Sequence, residues 1–346
     1  MQSSRRCAGR RARRASVALV LCASLLLATA CGRRSTLATA LSDREFWSLI
    51  DTLSEPAGAF TLSDNVVSNE PRYAESVRWL RPSGGAFIGV GPEQNFSYIA
   101  ALRPSIAFII DIRRENLDLH LLYKALFELS TDRADFVSRL FSRPRPTDLG
   151  ANASVDEIFE RYDRVAPSPE QYTATAALVR ERLLVSHGLP LSPADLEAID
   201  RTFKAFRDAG PSIDYYGTRA LDAVRPTYRQ LMTARDLAGQ GRSFLASARS
   251  FTFVKELQSR NLIVPVVGDF AGPSAMRRVG DYVRARADRI HAIYGSNVGI
   301  YLSNQQTLAF CANLATLPAS PRAWFIDSSG RRSLEAKLRS CPNVAK

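Results

Sequence analysis

Ala86-Phe87-Ile88-Gly89-Val90-Gly91-Pro92-Glu93-Gln94-Asn95 joins an apolar run to a loop punctuated by two glycines. A helix-length segment, Asn95 to Leu102, follows, and Pro104 stops it. Ile106-Ala107-Phe108-Ile109-Ile110-Asp111 is then a second apolar run, closed by an acid. The order strand, glycine loop, helix, strand, acid predicts two parallel strands joined by a crossover helix. Neither run alternates apolar and polar residues, which fits strands covered on both faces. Gly89 and Gly91 stand where backbone turns sharply or passes close to a ligand. The amides that open the next helix face the same place.

The alternation of strands and helices resumes late in the chain. Leu262 to Gly268 reads as a strand leading into Asp269-Phe270, and Pro273 to Ala287 as a helix. Ile290 to Tyr294 is a strand followed by Gly295-Ser296-Asn297, Ile300 to Leu314 a helix, and Ala323 to Asp327 another strand. Between the two blocks, residues 116–258 are mostly helical in pattern. Leu117, Leu121, Leu122, Ala125, Leu126 and Leu129 recur at helical spacing. Ser168-Pro169-Glu170-Gln171 and Ser192-Pro193-Ala194-Asp195 are helix starts, and Tyr215-Tyr216-Gly217 marks a turn. The expected fold class is therefore α/β, a doubly wound, mostly parallel sheet over residues 84–327 with a large helical insertion. Residues 31–83 form a leader with a short helix from Asp43, capped by Ser42 or Asp43. Glu70 to Trp79 is a second helix in that leader, Ser63-Asp64-Asn65 a loop, and residues 328–346 a C-terminal tail.

The ends bound the compartment. Arg5, Arg6, Arg10, Arg11, Arg13 and Arg14 precede an apolar run from Val17 to Ala30, the pattern of a signal peptide and short for a membrane span. Leu27-Ala28-Thr29-Ala30-Cys31 is similar to a bacterial lipobox with Cys31 as the lipidated residue, and Ala28-x-Ala30 also suits ordinary signal peptidase. An uncleaved anchor is the third alternative. The expected location is the cell envelope, facing the periplasm and lipid-anchored to a membrane, with plain secretion as the alternative. The chain has 46 Lys and Arg against 34 Asp and Glu, a net charge of +12. Six arginines leave with residues 1–30, which hold no acid, so the rest carries 40 against 34, or +6. That excess is spread along the chain, which argues for a solvated surface and against nucleic-acid binding. Cys311 and Cys341 remain as an even pair in an oxidising compartment, free to form a disulfide.

A dinucleotide fingerprint wants a third small residue at position 94, where this chain has Gln94, and Pro92 is also foreign to it. The pattern instead resembles motif I of class I S-adenosylmethionine-dependent methyltransferases, a Rossmann-like family. Asp111 stands where that family places an acid on the ribose hydroxyls. Gly268-Asp269-Phe270 stands where it often has an acid for the adenine amino group, with Phe270 placed to stack. Ser296 and Asn297 end the fourth strand, a frequent position for substrate contacts. The resemblance covers residues 84–114 and 262–327. It implies S-adenosylmethionine as cofactor, held by Gly89, Gly91, Glu93, Asn95, Asp111, Asp269 and Phe270, with Arg113, Ser296 and Asn297 toward a substrate. Arg113 is suited to carboxylate or phosphate, which extends the expectation to an anionic acceptor.

Each position also has a plainer reading. Gly89 and Gly91 suit any tight strand-to-helix turn, Asp111 a helix cap or an ion pair with Arg113 or Arg114, Asp269 an N-cap-like turn before Pro273, and Glu93 and Asn95 capping of the following helix. His120, His187 and His291 show no metal-ligand spacing, so no metal is expected. There is no Gly-x-Ser-x-Gly elbow and no Walker loop. No residue stands out as a catalytic base. Two functions follow: an exported, lipid-anchored protein that binds an unknown small ligand, and, alternatively, a methyltransferase.

Overall fold

β1 (Ala86–Gly89) and β2 (Ile106–Asp111) are buried at every residue and pair in parallel, as their unbroken apolar runs predict. β3 (Ile263–Val267), β4 (Ile290–Ser296), β5 (Ala319–Asp327) and β6 (Gly330–Ser333) complete a six-stranded sheet in the order β3-β2-β1-β4-β5-β6. Only β6 is antiparallel, lying against β5. The chain is thus α/β with a mostly parallel sheet. The strand order reverses at β1, so β1 and β4 diverge into a crevice at their C-terminal ends. Pro265 is tolerated in β3 because that strand is an edge. No strand is read from sequence after Asp327; the expected tail instead holds β6 and a final helix.

This computed structural model describes residues 35–60, 64–150, 152–216 and 225–342. The signal segment 1–30, Cys31, Ser63 and Gly217 lie outside the described residues. No helix among the described residues is long and apolar enough to cross a membrane.

The leader is built into the sheet unit from Thr36 onward. α1 (Asp43–Leu53) starts with a capping box, the Glu45 amide donating to Ser42 Oγ and the Ser42 amide to the Glu45 carboxylate. It buries Phe46, Ile50 and Leu53. Immediately after it, the Glu55 amide donates to Val267 O (2.8 Å) at the end of β3. The Glu55 carboxylate accepts from the amides of Ser274 and Ala275, both at 2.5 Å. A leader acid therefore caps a helix more than 200 residues away in sequence.

α2 (Tyr73–Arg78), α3 (Gln94–Leu102) and α4 (Arg114–Leu129) flank the first strands. The helical insertion adds α5 (Arg133–Phe141), α6 (Val155–Asp163), α7 (Pro169–Glu181), α8 (Pro193–Ala209), α9 (Tyr228–Thr233) and α10 (Ala248–Ser259). Ser168 and Ser192 cap α7 and α8, with Pro at the first helical turn of each. Phe96 of α3 meets Tyr123, Phe127 and Phe244 edge-on at 5.3, 5.2 and 5.4 Å between ring centres. The insertion and the sheet unit therefore share one aromatic core. Lys124 is buried in the same region and donates to Glu128 and to Gln258 O, both at 2.6 Å. His187 bridges Glu128 and Asp43 at 2.7 Å each, which holds its imidazole above the usual histidine range, chiefly through the Glu128 contact.

α11 (Ala275–Ala285), α12 (Asn304–Thr316) and α13 (Leu334–Arg339) close the fold. Cys311 of α12 and Cys341 just past α13 form a disulfide across 30 residues. Closing a loop of that length removes entropy from the unfolded chain. Reduction, or Cys341→Ser, should lower the unfolding free energy by about 2–4 kcal/mol. Urea titrations with and without reductant measure this, and identical midpoints would exclude a stabilising bridge.

Candidate functional site

The loop after β1 is held by one side chain. The Asn95 amide nitrogen donates to Val90 O (2.9 Å), Gly91 O (3.0 Å) and Pro92 O (2.7 Å). Its oxygen lies where a Cβ on Gly89 would be, 1.9 Å away, so position 89 admits only glycine. Gly91 is required for a different reason: its φ is +74°, while nothing lies within 4 Å of the place a Cβ would take. His120 Nε2 donates to Gly91 O at 2.9 Å, and burial pushes its imidazole down to about 4, so it stays neutral. His120 is a packed core histidine that braces the loop.

This knot leaves an open cavity of about 370 Å³ at the C-terminal ends of the strands. That volume is within the range of small-molecule sites. Gly91, Asp111, Arg113, Asp269, Phe270, Ser296 and Asn297 all line it. Gly89, Glu93 and Asn95 do not. Asn95 is fully buried beneath the loop, and Glu93 is fully buried behind the cavity wall, accepting at 3.1 Å from the amide of Ser68, which lines the cavity. The expectation that Glu93 and Asn95 face the crevice is thereby corrected: in this short loop their side chains serve the backbone. Burial pushes the Glu93 carboxyl up to about 8.

The β2 end of the site is an ion pair. Asp111 Oδ1 accepts from Arg113 N (3.0 Å) and Nε (3.1 Å), and Oδ2 accepts from Nη2 (3.1 Å). Arg113 Nη1 donates to Asp64 O at 2.8 Å. The arginine fork is spent on its neighbour and does not present itself to an incoming anion. Each carboxylate oxygen keeps accepting capacity. At the β3 end, Asp269 Oδ1 accepts from the Ala271 amide (2.8 Å), the turn-forming role its plain reading allows. Phe270 stacks on Phe310 at 5.7 Å, and Asn313 of α12 fixes the loop by donating to Phe270 O and Gly272 O.

The β4 end is irregular. Ser296 has φ +45°, uncommon for serine, and the pairing of β4 with β5 slips between Tyr294 and Ser296. A Cβ on Gly295 would lie 2.9 Å from the Phe325 ring, so glycine permits the bulge. Ser296 Oγ, now turned into the cavity wall, donates to Glu70. Gln94 Nε2 donates to Glu70 Oε2 (3.0 Å) and to the Tyr294 hydroxyl (2.9 Å). The residue that departs from a dinucleotide fingerprint thus ties the first loop to the end of β4.

Sequence reasoning missed one wall. Phe60, Asn65, Ser68 and Asn69 come from the leader and line the cavity, and Tyr215 and Tyr301 complete its mouth. No local pattern marks them, because they arrive by the path of the chain: Gly58 N donates to Ile112 O (2.8 Å) and Asn65 N to Tyr215 O (3.2 Å). A second cavity of about 700 Å³, lined by α8, Glu115 and Leu119, shares Phe60 and Arg113 with the first.

The chain belongs to the DUF7790 family. The model of that family, described as a domain of unknown function, matches residues 65–341. No curated protein matches the chain. The family span begins at Asn65 and ends at Cys341, so it takes in the cavity residues from Asn65 onward and both disulfide cysteines. Among the described residues, no group of three or more His, Cys, Asp or Glu is placed to hold a metal.

The buried Glu93 carboxyl sets a pH dependence. Its raised folded value means that its stabilising contribution is complete below the unfolded value and is lost as pH rises through about 8. Glu93→Gln should therefore gain stability relative to the wild type as pH is raised from about 5 to about 9. Denaturant midpoints across that range test it, and a pH-independent difference would refute the assignment.

Proposed function

We propose that this is an exported, lipid-anchored protein of the cell envelope whose methyltransferase-like domain binds a small ligand carrying a nucleoside-like group. The observation that carries the reading is the open crevice at the β1/β4 divergence, with Gly91, Asp111, Asp269 and Phe270 on one wall. Support for a methyltransferase-like site comes from the placement of those residues at successive strand ends. Asp111 retains oxygen lone pairs for ribose hydroxyls, and Phe270 offers a ring beside Asp269 for a base. S-adenosylmethionine is the cofactor this pattern implies, and its adenosyl part is the portion these residues suit. Binding is favoured over transfer because the signal pattern of residues 1–30 directs the chain away from the compartment that makes this cofactor.

Methyl transfer is the second reading. The larger cavity beside the first, separated from it by Phe60 and Arg113, would place an acceptor next to the bound cofactor. Such transfer depends mainly on positioning the two partners in line.

Calorimetry with S-adenosylmethionine and S-adenosylhomocysteine tests the ligand. Saturable binding is expected, weakened at least tenfold (about 1.4 kcal/mol) by Asp111→Ala or Asp269→Ala; heat that is absent at millimolar ligand, or unchanged in both variants, would exclude the site as drawn. For the anchor, labelled palmitate should enter the wild-type chain in cells and not Cys31→Ser. Equal labelling of the two would dismiss the lipobox.

A further inference from the structure

Glu70 is a buried carboxylate surrounded by neutral donors. Its oxygens take hydrogen bonds from Gln94 Nε2 and Ser296 Oγ. The groups that face it are Gln94 and Tyr98 from α3, Tyr294 and Ser296 from β4, and Asp327 from β5. Among the described residues no lysine or arginine pairs with it. Asp327 is itself matched by Arg332 at 2.7 Å. Burial raises the Glu70 carboxyl above the usual range, as it must where no cation compensates the charge.

Charge is distributed unevenly around the cavity. At the β2 end, Asp111 and Arg113 cancel. Asp269 lines the cavity, accepts from the Ala271 amide, and has no arginine or lysine partner among the described residues. At the β4 end, Glu70 sits directly behind Ser296 and Tyr294, both of which line the cavity. Phe60, Tyr294 and Tyr301 put aromatic rings on that same side, Phe60 and Tyr301 meeting edge-on at 5.3 Å. An acidic, aromatic-lined end of a half-buried cavity attracts a cation of low hydration.

We propose that the β4 end of the crevice is a cation subsite that receives an ammonium or sulfonium group of the ligand. The cation rests against Ser296 Oγ and the aromatic rings, and Glu70 neutralises it through the Ser296 hydroxyl. Glu70 is thus a positioning residue, acting at one remove from the ligand. The left-handed backbone at Ser296 and the bulge before it are what aim the hydroxyl both ways, toward Glu70 and toward the cavity wall. This inference rests on the crevice being the ligand site and not on the identity of the rest of the ligand.

The test uses small probes that carry only the charge. Trimethylsulfonium and tetramethylammonium are titrated into the purified full chain by ligand-observed nuclear magnetic resonance, with tert-butanol as a neutral probe of similar shape. Both cations should bind saturably and compete with each other, while tert-butanol does not bind. Glu70→Gln should weaken cation binding roughly tenfold or more, and Ser296→Ala should weaken it by less. In the wild type, affinity should fall as pH drops through the raised Glu70 value, because only the carboxylate attracts the probe; in Glu70→Gln it should stay flat. Tert-butanol binding as well as the cations, absence of cation binding, or wild-type affinity in Glu70→Gln would each overturn the proposal. If Glu70→Gln fails to fold, Ser296→Ala and the wild-type pH profile decide the question. Cations that bind while adenosyl compounds do not would leave the subsite standing and remove the nucleoside reading. Adenosyl compounds that bind the wild type and Glu70→Gln equally would do the reverse.

Discussion

One amide group organises this site. Asn95 spends its nitrogen on three successive carbonyls of the loop after β1. A buried carbonyl left without a donor costs about 1–3 kcal/mol, and of these three Gly91 O has a second donor in His120. The Asn95 oxygen then occupies the space above Gly89, so the glycine exists to let the asparagine in. With the loop held this way, Gly91 takes its left-handed turn, its carbonyl receives His120, and the backbone stays open toward the crevice. The cavity is what remains above a loop whose carbonyls are held from below by Asn95 and His120.

The same constraint sorts the neighbouring side chains into two sets. Asn95 and His120, which serve the loop, and Glu93, which holds the Ser68 amide of the leader wall, are buried and do not line the cavity. Those at the ends of β2, β3 and β4 face it. Gln94 crosses between the sets, joining the helix after the loop to Glu70 and Tyr294. Charge follows this division. The β2 end closes its charge internally through Asp111 and Arg113, while the β4 end keeps a carboxylate with only neutral donors. A crevice built this way distinguishes its two ends electrostatically, and so can set the direction of an elongated ligand.

Much of the fold was legible because it rests on short-range patterns. Two unbroken apolar runs flanking a glycine loop specify parallel strands covered on both faces, and Ser-Pro helix starts are marked within four residues. The strand ends were equally legible, which is why Gly91, Asp111, Asp269, Phe270, Ser296 and Asn297 meet at one cavity. That Glu93 and Asn95 are buried and do not line the cavity is not legible in the sequence, because a loop residue can turn toward a crevice or toward backbone and the alternation does not say which. Glu70 and the wall residues Phe60, Asn65, Ser68 and Asn69 carry no local signal of a site. They become a wall only when Glu55 and Gly58 are pinned to the ends of β3 and β2.

The sequence by itself determined the α/β alternation, the place of the glycine turn, the acids at the strand ends and the presence of two cysteines beyond the leader. These depend on residues close together in the chain, where stereochemistry and burial period act directly. Tertiary structure alone decided that Arg113 is consumed by Asp111, that the leader walls the crevice, that β6 pairs with β5 at the sheet edge, and that Glu70 stands behind Ser296 with no lysine or arginine paired to it among the described residues. Each of these joins atoms whose encounter depends on how the whole chain packs, or on which of several partners packing brings within reach. Hydrogen bonds and charges are chosen by that proximity, and proximity is a property of the fold.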